Sequence, residues 1–333
     1  MEYVPIMVVG FATALGLTPV SRQIAMRLGV VDKPNQRKIH MDHKPMMGGL
    51  AIYMGFLLAF WLFSPPQYLA EFGALVIGAT VLAITGLLDD RYNLSVGVRL
   101  VAMIGAAFIL IAVGIQVHLF GTPLLDWPIT IIWVVALTNA TNFLDNMDGL
   151  SAGLAAISAG FFMVIALMAG QTLVSSLAAA LFGSAVGFLI YNFNPASTFM
   201  GDMGALVLGF ILAVLGIKLE FGAQPLGVTW MVPILVLAVI IFDINLVVFT
   251  RILEGRSPFQ AGKDHTSHRL MSLGFSQRKT LFIMYTIAVL YGSIGLVVSA
   301  APPRIALVIG LFALAVLGGL FVLMFYIRRR YQL

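Results

Sequence analysis

The chain has 333 residues, 60% of them hydrophobic and only 10% charged, and its mean hydropathy is +1.01. A soluble domain carries about 25% charged residues and disorder needs low hydrophobicity with high charge, so a water-soluble globule and an unstructured chain are both excluded. The absence of cysteine removes disulfides, thiolate nucleophiles and cysteine–zinc sites, and the formal net charge of +5 is read as membrane topology rather than as affinity for nucleic acid.

A hydrocarbon core about 30 Å thick is crossed by roughly 20 apolar helical residues. Eleven runs approach that length: 3–20, 47–63, 70–88, 100–117, 128–144, 152–169, 173–190, 203–219, 228–250, 280–300 and 304–326. They predict an all-α polytopic bundle of about eleven transmembrane helices, forming one integral membrane domain over 1–333. The runs are continuously apolar rather than alternating in segments of ~10 residues, which argues against a β-barrel. The first opens with Glu2 and lacks a basic leader, so it does not read as a signal peptide.

Lys and Arg set the orientation. Of the 19 basic residues, all but Lys218 and Arg304 fall in 21–46, 89–99, 145–151, 191–202, 251–279 and 327–333. That asymmetry predicts an N-terminus outside, a C-terminus in the cytosol, and a plasma (inner) membrane protein with its chemistry on the cytosolic face. The basic tail Arg328-Arg-Arg330 reads as contact with anionic lipid.

The cytosolic segments hold the polar residues worth weighing. Asp89 and Asp90 end the third run, where a helix C-terminus disfavours negative charge. They call for a cation, from Arg91, Arg99 or a metal. Asn142, Asp145 and Asp148 recur at intervals of three and share one broad helical face. The structural alternative makes Asp148 an N-cap for the next helix. Asp202 follows Phe199-Met-Gly; alone it would read as an N-cap, while Phe199 offers a ring for a base or an interface anchor. Loop 21–46 brings Lys38 and Lys44. Loop 251–279 brings Arg256, Lys263, Asp264, His265, His268 and Arg269. Zinc is poorly supported, with no HExxH and no third ligand in view.

Several carboxylates together with lysines and arginines suit Mg²⁺-assisted phosphoryl transfer, with the metal shared between few carboxylates and substrate phosphates. No GxxxxGK[ST] loop supports a P-loop ATPase. Only Asp243 lies well inside a run, about 10 Å from its end at 1.5 Å per residue, which weakens a cation or lipid transporter with an acidic midplane site.

Taken in order, Asp89-Asp90, Asn142-x-x-Asp145-x-x-Asp148-Gly149-Leu150, Phe199-Met-Gly-Asp202-x-Gly204 and the histidine-bearing last loop resemble the polyprenyl-phosphate N-acetylhexosamine-1-phosphate transferase family. The resemblance runs from about Asp32 to Phe275. Arg256-Ser-Pro-Phe and Lys263-Asp-His265-x-x-His268-Arg269 look like the GlcNAc-1-phosphate branch, although Ser267 stands where a middle histidine is usual. The related phospho-MurNAc-pentapeptide translocase branch has three consecutive histidines there.

The resemblance implies transfer of GlcNAc-1-phosphate from UDP-GlcNAc to undecaprenyl phosphate, releasing UMP and starting a cell-envelope glycopolymer. Another UDP-HexNAc or UDP-MurNAc-pentapeptide remains open as donor. It implies Mg²⁺, with Mn²⁺ as a substitute, held by Asp89 and Asp202. Asp90 would position or deprotonate the lipid phosphate, and Asn142, Asp145, Asp148 and Phe199 would hold the uridine end. Lys38, Lys44, Arg256, His265, His268 and Arg269 would meet phosphates or the sugar, the two histidines counting with Asp89, Asp90 and Asp202 as catalytic. Membrane lipids are the surrounding partner, and a homodimer is allowed.

Overall fold

The computed structural model describes residues 3–32, 44–63, 66–221, 225–258 and 262–331. Among the described residues the fold is all-α apart from two short strands, β1 Val31–Asp32 and β2 Lys44–Pro45, paired antiparallel with Val31 opposite Pro45 and Asp32 opposite Lys44. The long helices are α1 Val4–Leu28, α2 Gly48–Phe63, α3 Leu69–Tyr92, α4 Val96–Ala112, α5 Pro123–Leu144, α6 Leu150–Met168, α7 Thr172–Asn192 and α8 Gly201–Lys218. Three follow in quick succession: α9 Leu226–Thr229, α10 Met231–Val236 and α11 Ala238–Leu253. The chain ends with α12 Thr266–Ser272, α13 Gln277–Ala300 and α14 Pro303–Tyr331.

Local signals delimit these helices. Ser95 and Ser276 accept from Val98 N and Lys279 N at the starts of α4 and α13. Pro123 occupies the first turn of α5, where no N–H is needed.

Every apolar run falls on a helix, but the helices differ in reach. Among the described residues eight are long and apolar enough to cross a membrane; α2 and α4 are apolar but shorter. The run 228–250 is not a rod: the chain turns by 80° between α10 and α11. Eight crossings, or nine with the bent pair, follow from length and composition; the predicted eleven also requires α2 and α4 to cross. The bend at Leu237 is buried, and Ser158 of α6 donates to the Val236 carbonyl at 3.1 Å. Irregular backbone in an apolar bundle is tolerated where protein buries and satisfies it.

α8 forms the core, flanked by α2, α3, α5, α6 and α7, and nearly every side chain from Met203 to Leu215 is buried. α1 lies against α7 through small residues. A Cβ on Gly183 or Gly187 would meet the Met7 or Phe11 carbonyl oxygen at 2.2 or 2.4 Å, so the two backbones touch, as helices packed in lipid commonly do.

Candidate active site

α8 begins without a side-chain cap of its own: its N-cap is Met200, and Asp202 is already inside the first turn. The cap comes from α3. Asp90 Oδ1 accepts from Asp202 N at 2.9 Å and Oδ2 lies 3.5 Å from Met203 N, an anion on the positive end of a helix dipole. Two glycines permit the approach. A Cβ on Gly201, whose φ is +69°, would lie 2.3 Å from both Asp90 Oδ2 and the Met46 carbonyl. One on Gly86 would lie 2.3 Å from Met203 N. The sequence reading of Asp202 as an N-cap is therefore replaced by a cap donated across the bundle.

Asp89, beside Asp90, is engaged twice. Oδ1 accepts from Leu94 N at 2.7 Å and Oδ2 pairs with Arg99 at 2.7 Å. Arg99 also lies 3.7 Å from Asp202 Oδ2, and Asn142 donates to Asp202 Oδ1 at 2.7 Å. α3, α4, α5 and α8 thus meet at Asp202, whose side chain is 31% exposed against 6% for Asp89. Asp202 is the open carboxylate and Asp89 the closed one.

Asp145 caps the C-terminus of α5. Burial, then the nearby Asp202 and Asp148 carboxylates, push its acid up to about 8. Asp148 does not cap α6, where Gly149 is the N-cap. Asp148 Oδ2 instead accepts from Asn194 Nδ2 and Ala196 N at 3.1 and 2.9 Å, fastening the α5–α6 turn to the α7–α8 connection. Lys44 Nζ donates to the Ala196 carbonyl at 2.9 Å. Phe199, partly buried, is held by its backbone: its N–H donates to the Pro45 carbonyl and its own carbonyl accepts from Gly48 N. Lys38 lies outside the described residues.

The last loop reaches the same rim. Ser267 donates to Asn146 Oδ1 at 2.8 Å, between Asp145 and Asp148 in sequence, so the residue that departs from the usual histidine ties this loop to the acidic turn. His265 pairs through Nδ1 with Asp243 Oδ2 at 2.7 Å and lies edge-on to Phe143 and to His268. Burial, then the neighbouring His265, push the His268 imidazole down to about 4.

Behind the histidines lies an ion-pair clasp. Arg251 binds Asp264 through two bonds, 2.8 and 2.7 Å, both residues 2% exposed. Burial opposes ionisation of Asp264, but its bonds to Arg251 and the adjoining positive charges outweigh it and hold the acid below the usual carboxylate range. Arg256 bridges Glu254 and Asp264. Arg269 is fully buried, its guanidinium on the Asp264 and Met324 carbonyls and the Thr250 hydroxyl; both arginines predicted to meet substrate thus have partners within the clasp. Arg328 closes it by two bonds to Glu254, so its guanidinium faces an acid and not the lipid surface expected of the basic tail.

Sequence reasoning did not single out Asn146, Asn194 or Glu254 for contacts, and it read Asp243 only as evidence against a transporter. Asn146 had a signal, standing between Asp145 and Asp148 in a polar turn. The others depend on tertiary contacts that spacing does not encode.

The donor set fits a hard divalent cation: the partly exposed Asp202 offers carboxylate oxygen beside Asp89, and burial, then the Asp202 and Asp148 charges, push the Asp145 acid up. Among the described residues no three acid or histidine side chains form a metal cage.

The protein-family comparison matches residues 72–220 to a model described as glycosyl transferase family 4. The chain is 35% identical over 303 residues to a probable undecaprenyl-phosphate N-acetylglucosaminyl 1-phosphate transferase of Bacillus subtilis, covering 88% of this chain and 84% of the relative. It is 34% identical to a decaprenyl-phosphate N-acetylglucosaminephosphotransferase of Mycobacterium tuberculosis, covering 79% and 74%. It is 28% identical to an undecaprenyl-phosphate alpha-N-acetylglucosaminyl 1-phosphate transferase of Escherichia coli K12, covering 90% and 85%. With carboxylates from separate helices gathered at one rim of an apolar bundle, and relatives matched over most of their length, the chain belongs to glycosyl transferase family 4 and is a membrane transferase.

Proposed function

We propose that the enzyme transfers GlcNAc-1-phosphate from UDP-GlcNAc to undecaprenyl phosphate, giving undecaprenyl-diphosphate-GlcNAc and UMP, at the cytosolic face of the plasma membrane. A lipid-phosphate oxygen attacks the sugar-bearing phosphorus. The bond from that phosphorus to the bridging oxygen breaks, and UMP leaves with that oxygen. One phosphoanhydride replaces another and the nucleophile is already anionic, so catalysis is positioning and charge neutralisation. A covalent aspartyl intermediate adds little to such a nucleophile.

The observation that carries this reading is the meeting of Asp90, Asn142 and Arg99 on Asp202. Asp202, more open than Asp89, would lead the binding of Mg²⁺, with Mn²⁺ as substitute, and Asp89 would join it when Arg99 turns to the diphosphate. The bound cation supplies charge neutralisation at the transferred phosphoryl group. Asp90 aims Asp202 by holding the start of α8. Asn142, Asp145, Asp148 and Phe199 line the place for the uridine end. Lys38, Lys44, His265 and His268 would meet the phosphates or sugar, while Arg256 and Arg269 act through the loop they hold.

The test is UMP release by the detergent-solubilised protein from UDP-GlcNAc, UDP-GalNAc and UDP-MurNAc-pentapeptide in parallel, with and without undecaprenyl phosphate and Mg²⁺. UMP is expected only with UDP-GlcNAc, lipid and metal together. A faster reaction with another donor would reassign the sugar. UMP exchange into UDP-GlcNAc without lipid would refute direct attack.

A further inference from the structure

Asp243 sits on α11, fully buried, and bonds neither the arginines of the ion-pair clasp nor the groups on Asp202, but His265 and Thr266. An isolated carboxylate at such a position is costly unless it is paired. Its oxygens are divided between two neighbours: Oδ2 meets His265 Nδ1 at 2.7 Å and Oδ1 accepts from Thr266 N at 2.6 Å. An ionised carboxylate only accepts, so an ionised Asp243 requires the proton on Nδ1 of His265. Imidazole geometry then turns Nε2 away from α11. His265 is tied on its other sides as well, edge-on to Phe143 at the end of α5 and two residues before Ser267, which bonds Asn146 in the acidic turn.

We propose that Asp243 is a positioning residue for the transfer: it fixes His265 as the Nδ1–H tautomer and thereby presents Nε2 toward the substrate phosphates. The proposal rests on the reaction given above for what Nε2 meets, and on the Asp243–His265–Thr266 geometry for the tautomer. In the neutral ring Nε2 is an acceptor; when protonated it becomes a charge-assisted donor to phosphate. Exchanging the carboxylate for an amide keeps the volume but lets the amide donate to Nδ1, which would move the proton to Nε2 and reverse the bond the ring offers.

Two measurements test this. The first is a double-mutant cycle on kcat and the donor KM with Asp243→Asn, His265→Ala and the pair. Asp243→Asn is expected to lower kcat roughly 10- to 100-fold, by analogy with loss of the carboxylate that orients a metal-ligating histidine, with KM for UDP-GlcNAc little changed. In the His265→Ala background it should have almost no further effect, because its action passes through the missing ring. Multiplying losses, an unimpaired Asp243→Asn or an unimpaired His265→Ala each overturn the proposal. The second uses no donor: ¹⁵N spectra of the five histidines near pH 7, with the His265 signals identified by their loss in His265→Ala. A protonated Nδ1 that becomes unprotonated in Asp243→Asn supports the dyad. An Nε2–H tautomer in the unaltered protein, or a spectrum indifferent to Asp243→Asn, overturns it. An absence of GlcNAc-1-phosphate transfer in the unaltered protein would fall on the reaction, and the spectra would still decide the dyad.

Discussion

At the scale of single residues the acids divide by what they touch. Asp202 is open, with one oxygen on Asn142. Asp202→Asn should abolish turnover across an Mg²⁺ titration while the protein purifies with an unchanged melting profile; near-normal activity across that titration would refute its role as ligand. Asp145 gives a pH prediction. Its folded-state pKa, near 8 against an ordinary 3.8, means that the folded protein binds the extra proton between those values. Stability should therefore fall as pH rises through that window. Asp145→Asn should remove the loss, melting above the parent at about pH 8 and level with it near pH 4 in thermal scans without metal. Sequence alone grouped Asp89, Asp90, Asn142, Asp145, Asp148 and Asp202, because paired acids at helix ends near a membrane demand an explanation. It could not separate the closed Asp89 from the open Asp202, since that difference is made by Arg99 and Leu94 N.

Between elements the decisive contact is α3 against the start of α8. Only a residue without a Cβ fits at Gly201, where φ is +69° and Asp90 closes the space. Gly201→Ala should destabilise the protein by more than about 1 kcal/mol and lower kcat more than 10-fold, read from melting scans and turnover together. Full activity would show that the rim adapts without the Asp90 cap. Helix positions were legible because continuous apolar runs have no alternative in lipid. The turn at Leu237 was not, because 228–250 stays apolar straight through it; the satisfied carbonyl at Val236 depends on Ser158, 78 residues away in sequence.

For the molecule as a whole, the clasp of Arg251, Glu254, Arg256, Asp264 and Arg328 connects the end of α14 with the loop that carries His265. Arg251→Met leaves a buried carboxylate short of its main partner, a change that costs about 3–5 kcal/mol when an ion pair loses one side. It should lower the melting midpoint by several degrees and raise the donor KM. An unchanged midpoint would make the clasp incidental. Composition hid this arrangement: a basic C-terminus beside a bilayer reads as lipid contact, and nothing in the spacing of Glu254 and Arg328 announces that they meet.

The Asp243–His265 pair also has a consequence for biogenesis. The acid belongs to α11 and its histidine lies 22 residues later in the chain, so the pair forms only when the segment after α11 folds back. A released chain truncated after α11 keeps the carboxylate without its imidazole, a costly group to bury. Released chains that end before residue 265 should therefore be degraded faster in cells than chains extended past Thr266.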